Sequence, residues 1–427
     1  MKKFVSFPVD DFNIFRMQML NWADRFNIFC FLDNQHYDFS VPAFECLLAA
    51  GCKRNVEAQA GNAFEQLADF YVTAGKVWLF GHFGYDLKNE TEQLTSRKED
   101  GIGFSDLHFF VPEIVVQLEE KEVKVYCNEG AEEIYRSIIS CSATIPEPVK
   151  LQVSVQHKIE RDKYIGIIEK LRQHILRGDC YEINFCQEFF SKNTTLDPLY
   201  VFDQLTLLSP NPFSVLYKAN SRYCICASPE RYLKKKGRTI WSQPIKGTSR
   251  RDHVSKLKDE AARDYLLQSS KEKSENVMVV DLVRNDLSRI CVPGSVKVEE
   301  LFGVYSFPHL HQMISTITGE ITEGLNWIDC VKATFPMGSM TGAPKKRVME
   351  LVEQYEQSKR GLFSGAIGYI DPEGDFDFNV VIRSIFYNAD AKYISFQAGS
   401  AITYYSDPVK EYDECILKAE AIMKVLQ

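Results

Sequence analysis

The sequence predicts an α+β protein in which large, mostly antiparallel β-sheets pack as a sandwich with flanking helices. Short β-rich runs in the second half follow one another with only turn residues between them, as in hairpins. Few of these runs alternate singly with helices, which is the pattern that a doubly wound parallel sheet requires. The chain has 427 residues and 45% hydrophobic content, so it can bury a core large enough for such sheets.

The strongest strand signals form two groups in the second half. The first comprises FSVLYK (213–218), RYCICA (222–227), RYLKKK (231–236) and RTIWSQPI (238–245). The second comprises GAIGYI (365–370), FDFNVVIRSIFY (376–387) and KYISFQAGS (392–400). β-branched and aromatic residues dominate both groups, and turn residues bound them. The three lysines at 234–236 precede Gly237 and are expected to form a solvated hairpin tip.

Helical spacing of apolar residues predicts three helices in the same half. They run over 161–179, from about 256 to 287, and from 408 to 425. The last begins at Asp407-Pro408, a capping residue followed by proline at the first helical position.

The first third of the chain is also mixed. Strands are predicted within 77–87, 109–119 and 122–127. The proline-rich segment at 145–148 marks a weak boundary. We therefore expect an N-terminal α+β region over 1–148, intertwined with the core, and a second region over 149–427 that carries the chemistry.

Composition excludes several classes of protein. A net charge of -8 disfavours nucleic-acid binding, and no basic stripe with interleaved aromatic residues is present. No apolar stretch is long enough for a signal peptide or a membrane span. The twelve cysteines include no CxxC pair and are expected to be reduced thiols. These features predict a cytoplasmic protein that binds neither nucleic acid nor membrane.

Two predicted helices carry carboxylates beside apolar stripes. Glu275 shares a face with Met278 and Val279, so it needs a cation, a metal or hydrogen-bond donors if it is buried. A salt bridge to Arg284 or Arg289 is the simpler alternative to metal ligation.

Glu411 and Glu414 lie three residues apart near the start of the last helix. Two carboxylates presented together suit a hard cation such as Mg2+. Acidic residues in a first turn also simply complement the helix dipole, which is the alternative.

The segment PMGSMTGAPKK (336–346) is a glycine-rich loop that leads into a helix predicted to start near Pro344. Backbone N–H groups at such a position suit an anion, although any helix start has similar residues. Because the segment lacks the P-loop spacing, a carboxylate is a better candidate ligand than a nucleotide.

Lys246 follows a β-run and precedes Gly247, and Glu230 lies in ASPERY (227–232). Each has an ordinary interpretation, Lys246 as a solvated edge charge and Glu230 as a turn carboxylate. Each also has a chemical one, as a nucleophile with a perturbed pKa and as a general acid.

Together these segments resemble a known family. ASPERY, PIKGT, SENVMVVDLVRNDL, STITGE, FPMGSMTGAPKKRVMEL, SGAIGY and VVIRS, in this order and spacing, are similar to the motifs of the chorismate-utilising enzymes. The strong resemblance covers about residues 155–427, and it implies a fold like that of anthranilate synthase component I. In the first half, GYDLKN (84–89) and GDCYEINFCQEF (179–190) also look like the amino-transferring branches.

The resemblance implies a role for each candidate. Glu275 and Glu414 match Mg2+ ligands, with Glu411 acting through water, and Glu230 matches the acid that protonates the departing 4-hydroxyl. Arg383 and Tyr369 match residues that grip the enolpyruvyl carboxylate. Further matches to substrate-binding positions are Thr248, Gly338, Ser339, Thr341, Gly342 and Gly399.

Lys246 distinguishes the branches of the family. It resembles the lysine of the branch that aminates chorismate at C4 to 4-amino-4-deoxychorismate, for para-aminobenzoate and folate synthesis. In that branch, the amine of the lysine adds at ring C2 of chorismate as the 4-hydroxyl leaves. Ammonia then adds at C4 and expels the lysine. Anthranilate synthase component I typically has alanine there and is the first alternative. A non-catalytic chorismate-binding protein is the second.

Four positions depart from the family pattern. Gln312 stands where histidine is common, so either His311 takes that role after a small shift or Gln312 hydrogen-bonds in its place. Ala401, Arg250 and Glu182 replace a usual glycine, proline and glutamine. None of these departures removes the acid, the nucleophile or a metal ligand.

The resemblance also implies partners. The substrates would be chorismate and ammonia, with Mg2+ as cofactor. No Gly-x-Cys-x-Gly elbow of a glutaminase is present in the chain. A separate glutamine amidotransferase subunit, forming a heterodimer with this chain, is therefore expected to supply ammonia.

Overall fold

The computed structural model describes residues 4–37, 41–147, 153–307 and 310–427, apart from the side chain of Ala421. The predicted boundary between residues 148 and 149 lies outside these ranges.

The first third of the chain alternates short strands with four helices. Its elements are β1 (Phe4–Pro8), α1 (Phe12–Ala23), β2 (Ile28–Asp33), β3 (Cys46–Ala50), β4 (Arg54–Ala58), α2 (Ala63–Ala74), β5 (Leu79–Phe83), a 3-10 turn (Tyr85–Leu87), α3 (Lys88–Thr91), β6 (Leu107–Val111), β7 (Ile114–Leu118), β8 (Glu122–Tyr126) and α4 (Ala131–Ile139). Asp11 caps α1 by accepting from the Ile14 amide.

The middle of the chain contains most of the consecutive hairpins. Its elements are β9 (Gln156–His157), α5 (Arg161–Leu176), β10 (Glu182–Ser191), α6 (Pro198–Leu208), β11 (Phe213–Ala219), β12 (Arg222–Ser228), β13 (Arg231–Lys236), β14 (Thr239–Gln243) and β15 (Ile245–Arg250). The four strands predicted between 213 and 245 are thus present.

The last part supplies the remaining helices. Its elements are α7 (Lys256–Gln268), α8 (Ser270–Ser288), β16 (Lys297–Ser306), β17 (Leu310–Glu320), α9 (Trp327–Thr334), a 3-10 turn (Gly338–Met340), β18 (Gly342–Ala343), α10 (Lys345–Tyr355), β19 (Ala366–Ile370), β20 (Phe376–Asn379), β21 (Ser384–Asn388), β22 (Tyr393–Ile402) and α11 (Pro408–Met423). Asp407 caps α11 and Pro408 opens it, as predicted.

The strands form two large sheets, and the strand pairs of the described residues are antiparallel. One sheet runs β1-β8-β7-β3-β2-β11-β12-β21-β22-β10-β18, with β9 beside β10. The other runs β15-β17-β14-β13-β20-β19-β5-β6-β4, with β16 beside β17. Strands from the first 126 residues lie in both sheets. The predicted α+β class with antiparallel sheets is confirmed.

Two apolar clusters lie on the two faces of the first sheet, because successive side chains of a strand point to opposite faces. Cys30, Val215 and Cys224 belong to the cluster that joins the two sheets, together with Phe80 and Phe378 of the second sheet. Residues at alternate positions, Phe29, Leu216 and Ile225 among them, face the second cluster. There they pack with helices α1, α5, α6 and α11, which cover the outer face of the first sheet.

Two predicted elements are interrupted in the structure. The helix expected over 256–287 breaks at Ser269, whose side chain caps α8 by accepting from the Glu272 amide. A serine is as compatible with a cap as with a helix, so spacing alone did not reveal the break. The run 376–387 breaks between β20 and β21, where Arg383 has a φ of 51°.

The prediction of a solvated lysine tip is wrong for Lys234. Its ammonium donates to Asp377 Oδ2 at 2.9 Å and to the Pro42 carbonyl at 2.7 Å. Asp377 also accepts from both Nε and Nη2 of Arg231, at 2.9 Å each. Arg231 is fully buried, so the carboxylate of Asp377 is shared by two cations inside the sandwich.

We expect Asp377→Ala to lower the free energy of unfolding by about 3–5 kcal/mol, because it leaves a buried guanidinium and an ammonium without their anion. Denaturant unfolding measures this change. The control is Asp375→Ala, which removes the less buried partner of Lys235 and should cost no more than about 1 kcal/mol. Equal destabilisation by the two substitutions would contradict the interpretation.

Candidate active site

Lys246 is brought into the interior by an irregularity of β15. The pairing of β15 with β17 shifts register between Ile245 and Thr248, and Gly247 has a φ of +93°. A bulge of this kind redirects a side chain, and the positive φ favours glycine. The Lys246 ammonium lies 3.1 Å from Oε1 of Glu182, on β10 of the other sheet. The alternative of a solvated edge charge is therefore wrong.

Acidic groups surround this ammonium. Burial by itself would lower the pKa of Lys246, but the carboxylates of Glu182, Glu275 and Glu230 outweigh it and raise the pKa above its ordinary value. In the free protein at neutral pH, Lys246 is thus a cation, and its amine must lose a proton before it can act as a nucleophile.

Glu230 is buried just before β13, with 5% of its surface exposed. Burial raises the pKa of Glu230 to about 7, although Ser339, Lys246 and Arg383 offset part of the effect. A carboxyl group with this pKa is substantially protonated at neutral pH and can donate a proton to a bound ligand.

Arg383 approaches the same carboxyl group from the start of β21. Burial lowers the pKa of Arg383, and Tyr37 and Glu230 act in the opposite direction. The structure therefore brings Lys246, Glu230, Ser339 and Arg383 together, with two cations placed to meet an anionic ligand.

The loop at 338–342 closes against β10. Asn184 donates its backbone N–H to the Thr341 carbonyl at 2.8 Å and its side-chain amide to the Ser339 carbonyl at 3.0 Å. A Cβ at Gly342 would lie 2.1 Å from the carbonyl oxygen of Glu182, and one at Gly338 would lie 2.9 Å from Leu282. These two glycines allow the loop to pack tightly between β10 and α8.

Glu275 projects from α8 with 14% of its side chain exposed. Burial raises the pKa of Glu275 to about 7, while Lys246 and Lys271 lower it. The alternative of a salt bridge to Arg284 or Arg289 is wrong, because Arg284 pairs with Asp281 at 2.8 Å and Arg289 binds Asn285. Among the described residues, the cation nearest to Glu275 is Lys271, whose Nζ lies 3.9 Å from Oε1 of Glu275.

Glu411 and Glu414 project from α11 toward the same region. Glu411 is buried and accepts from Ser400, and Glu414 pairs with Lys418 at 2.8 Å. Burial would lower the pKa of Lys271, but Glu275, Glu414 and Glu411 raise it. With Glu272, four carboxylates from two helices thus act on one ammonium.

These donors fit a hard cation. They are carboxylate oxygens, the ligands that Mg2+ accepts, and they concentrate negative charge where an ammonium now balances it. Across the described ranges, no three Asp, Glu, His or Cys side chains stand close enough to enclose a metal ion together. Metal binding would therefore require these side chains to draw closer and Lys271 to move away.

Gly399 lies on β22 beside the start of α11. A Cβ there would lie 1.9 Å from the Phe185 carbonyl oxygen, so only glycine allows this approach of β22 to β10. The Gly399 carbonyl accepts from Lys418 at 2.9 Å. Ala401, which pairs with Asn184, leaves this strand regular.

His311 and Gln312 differ in their surroundings. His311 is committed to a network with Ser306 at 2.8 Å and Asp259 at 3.0 Å. Gln312 is fully buried, and among the described residues neither its Oε1 nor its Nε2 has a hydrogen-bond partner. Its main chain pairs with that of the exposed Thr248. Of the two residues, Gln312 is the one with unused hydrogen-bonding capacity.

Tyr369 does not lie with Lys246, Glu230 and Arg383, contrary to the prediction that it binds the substrate. It packs against Phe44 and Trp78 and lines a separate small cavity with Asp33 and Asn379. The charges acting on its hydroxyl are those of Asp377, Arg231, Asp371 and Asp375, none of which belongs to the candidate site.

Three charged residues of the site were not predicted from the sequence. Lys271 precedes Glu275 by four residues and Lys418 follows Glu414 by four, so helical spacing could have identified both. Glu182 was noted only as a departure from the family. Its pairing with Lys246 joins positions 64 residues apart in different sheets, which no local pattern shows.

Twelve cysteines are free thiols, as predicted. No helix among the described residues has the length and apolar character needed to span a bilayer.

Comparison with known proteins gives the class to which this fold and site belong. The family model described as chorismate binding enzyme matches residues 29–424. A crystal structure of anthranilate synthase component I from Streptococcus pneumoniae aligns with a TM-score of 0.77 and 27% identity, covering 92% of this chain and 95% of that one. The chain belongs to the chorismate binding enzyme family.

The chain is also similar to two proteins that carry the name aminodeoxychorismate synthase. The chain is 33% identical over 349 residues to aminodeoxychorismate synthase component 1 of Salmonella typhimurium, covering 81% of this chain and 76% of that protein. It is 39% identical over 295 residues to the probable chloroplastic aminodeoxychorismate synthase of Oryza sativa, covering 68% of this chain but 32% of the rice protein. The chain therefore matches about a third of the rice relative's length.

Proposed function

We propose that this protein aminates chorismate at C4 to give 4-amino-4-deoxychorismate. The observation that carries the proposal is the position of Lys246, a buried amine among Glu182, Glu230 and Glu275. The similarity to two proteins named aminodeoxychorismate synthase supports the same conclusion. Amination at C2, as in anthranilate synthase, would need no nucleophile of this kind.

Each residue then has a chemical task. Arg383 pairs with a carboxylate of the substrate, and Gln312 and the loop at 338–342 orient the ring. The amine of Lys246 attacks C2 while Glu230 protonates the departing 4-hydroxyl, so water leaves instead of hydroxide. Ammonia then attacks C4 and releases the lysine. The covalent step divides one difficult displacement into two easier ones.

The protein would hold Mg2+ through Glu275 and Glu414, with Glu411 acting through water. Bound there, the ion would supply positive charge to the ring carboxylate of chorismate. Lys418 lies beside this position, where its ammonium pairs with Glu414 and donates to the Gly399 carbonyl.

A separate glutamine amidotransferase subunit is proposed as the source of ammonia. The Salmonella typhimurium relative is named component 1, which supports a second component as that source. Ammonium at high concentration should replace that subunit in vitro.

Product identification tests the proposed function. Purified protein is incubated with chorismate, ammonium and Mg2+, and the products are identified by mass spectrometry. We expect 4-amino-4-deoxychorismate, with neither pyruvate nor the blue fluorescence of anthranilate. Pyruvate with anthranilate would assign the protein to the other branch, and unchanged chorismate would indicate a binding protein without catalysis.

A further inference from the structure

We propose that Glu182 is the proton acceptor that converts the Lys246 ammonium into the nucleophilic amine. This inference rests on the proposed function, because it concerns the covalent step at Lys246. The family resemblance assigns no role to a glutamate at this position, where it has glutamine.

Glu182 is held in contact with the ammonium. Only 2% of its surface is exposed, and its Oε1 lies 3.1 Å from Lys246 Nζ. Its main chain pairs with Ala343 of β18, and Gly342 packs against its carbonyl. The carboxylate therefore belongs to a fixed part of the sandwich and not to a mobile side chain.

The other oxygen of Glu182 is unused. Within the described ranges, Oε2 is buried and has no hydrogen-bond partner. A carboxylate oxygen without a donor has a lone pair available to accept a proton. Transfer of one proton from Lys246 to Glu182 turns the ion pair into a neutral pair, so it creates no new charge in a site screened from water.

The remaining acids near Lys246 are less suited to this task. Glu230 must keep its own proton for the leaving group, and Glu275 and Glu414 are the proposed metal ligands. Of the acidic groups described around Lys246, Glu182 is the one within hydrogen-bond distance of its ammonium. Glu182 is therefore the acid whose position and whose lack of another role both suit it to accept the proton of Lys246.

The proton balance closes over the reaction. One proton passes from Nζ to Glu182, the amine bonds to C2, the ring double bonds shift, and the C4–O bond breaks as Glu230 protonates the oxygen. Ammonia next bonds to C4 and the C2–N bond breaks. Lys246 recovers its proton from Glu182, and the new C4 ammonium returns one to Glu230. Chorismate and ammonia thus yield the amine and water.

The test compares Glu182→Gln with the wild-type protein. The amide keeps a hydrogen bond to Lys246 but cannot take its proton. Covalent adduct at Lys246 is followed by mass spectrometry after rapid acid quenching, with saturating chorismate and Mg2+ and without ammonia. The adduct adds the mass of chorismate less one water.

We expect the variant to form adduct at least about tenfold more slowly than wild type at pH 6. Lys246 must then lose its proton to solvent, so the rate of the variant should rise by up to about tenfold per pH unit between pH 5.5 and 6.5, where Glu230 keeps its proton in both proteins. The wild-type rate should be nearly independent of pH between 5.5 and 6.5, roughly the range in which Glu230 stays protonated. A purely structural role would lower the rate equally at all pH values.

Glu188→Gln is the matched control, since Glu188 is a buried carboxylate on the same strand that binds Tyr393 and Ser395. It should keep the wild-type pH profile. A wild-type profile in Glu182→Gln would overturn the inference. If that variant does not fold, a wild-type rate that rises about tenfold from pH 5.5 to 6.5 would overturn it instead. Failure of the wild type to form either adduct or 4-amino product would refute the proposed function itself.

Discussion

Replacing Lys246 with alanine should reduce formation of 4-amino-4-deoxychorismate by roughly a hundredfold or more, equivalent to about 2.7 kcal/mol of transition-state free energy. The substitution removes the only amine that the candidate site offers beside Glu230 in the described residues, so the covalent route is lost. Steady-state kinetics with ammonium as nitrogen source measures the effect.

Chorismate binding should survive the substitution. Arg383, the loop at 338–342 and the three carboxylates of α8 and α11 remain, so the dissociation constant measured by calorimetry should change much less than the rate. Lys236→Ala, at the exposed end of the β13–β14 hairpin, provides a control of the same chemistry and should behave as wild type. Wild-type rates in Lys246→Ala would exclude the covalent mechanism and leave the family membership untouched.

Local patterns were sufficient for most of the fold. The strands from Phe213 to Gln243 alternate and turn as hairpins should, and the cap at Asp407-Pro408 marks the start of α11. These signals depend on residues that are close together in sequence, which is why they could be read. The break at Ser269 could not be predicted in this way, because serine occurs both within helices and as an N-cap residue.

Contacts between distant segments were the part that sequence could not supply. Lys234 looks like a solvated charge until Asp377 is placed beside it, and Tyr369 looks like a ligand residue until its strand positions it over another cavity. The resemblance grouped Lys246, Glu230 and Arg383, and the structure places them close together. It did not show that Glu182 contacts the lysine, since that contact depends on the bulge at Gly247 and on the packing of two sheets.

The second large effect that we expect concerns Glu230, whose burial sets the pH dependence of activity. The pKa of Glu230 is raised to about 7, so the protonated form that can donate to the 4-hydroxyl is available below that pH and is lost above it. With saturating Mg2+, which holds the proposed ligand Glu275 ionised, the wild-type profile of kcat/KM should therefore fall as pH rises through about 7, because kcat/KM reports ionisations of the free enzyme.

Glu230→Gln should lower kcat by about 10²–10⁴-fold, since the amide fills the same space but has no proton to give to the leaving oxygen. It should also remove the fall of kcat/KM near pH 7, which a merely structural role would leave in place. Binding of chorismate should persist, as Arg383 and Lys246 keep their positions. Residual activity in this variant that still declined through pH 7 would assign the proton donor to another group and leave Glu230 as a buried neighbour of Arg383.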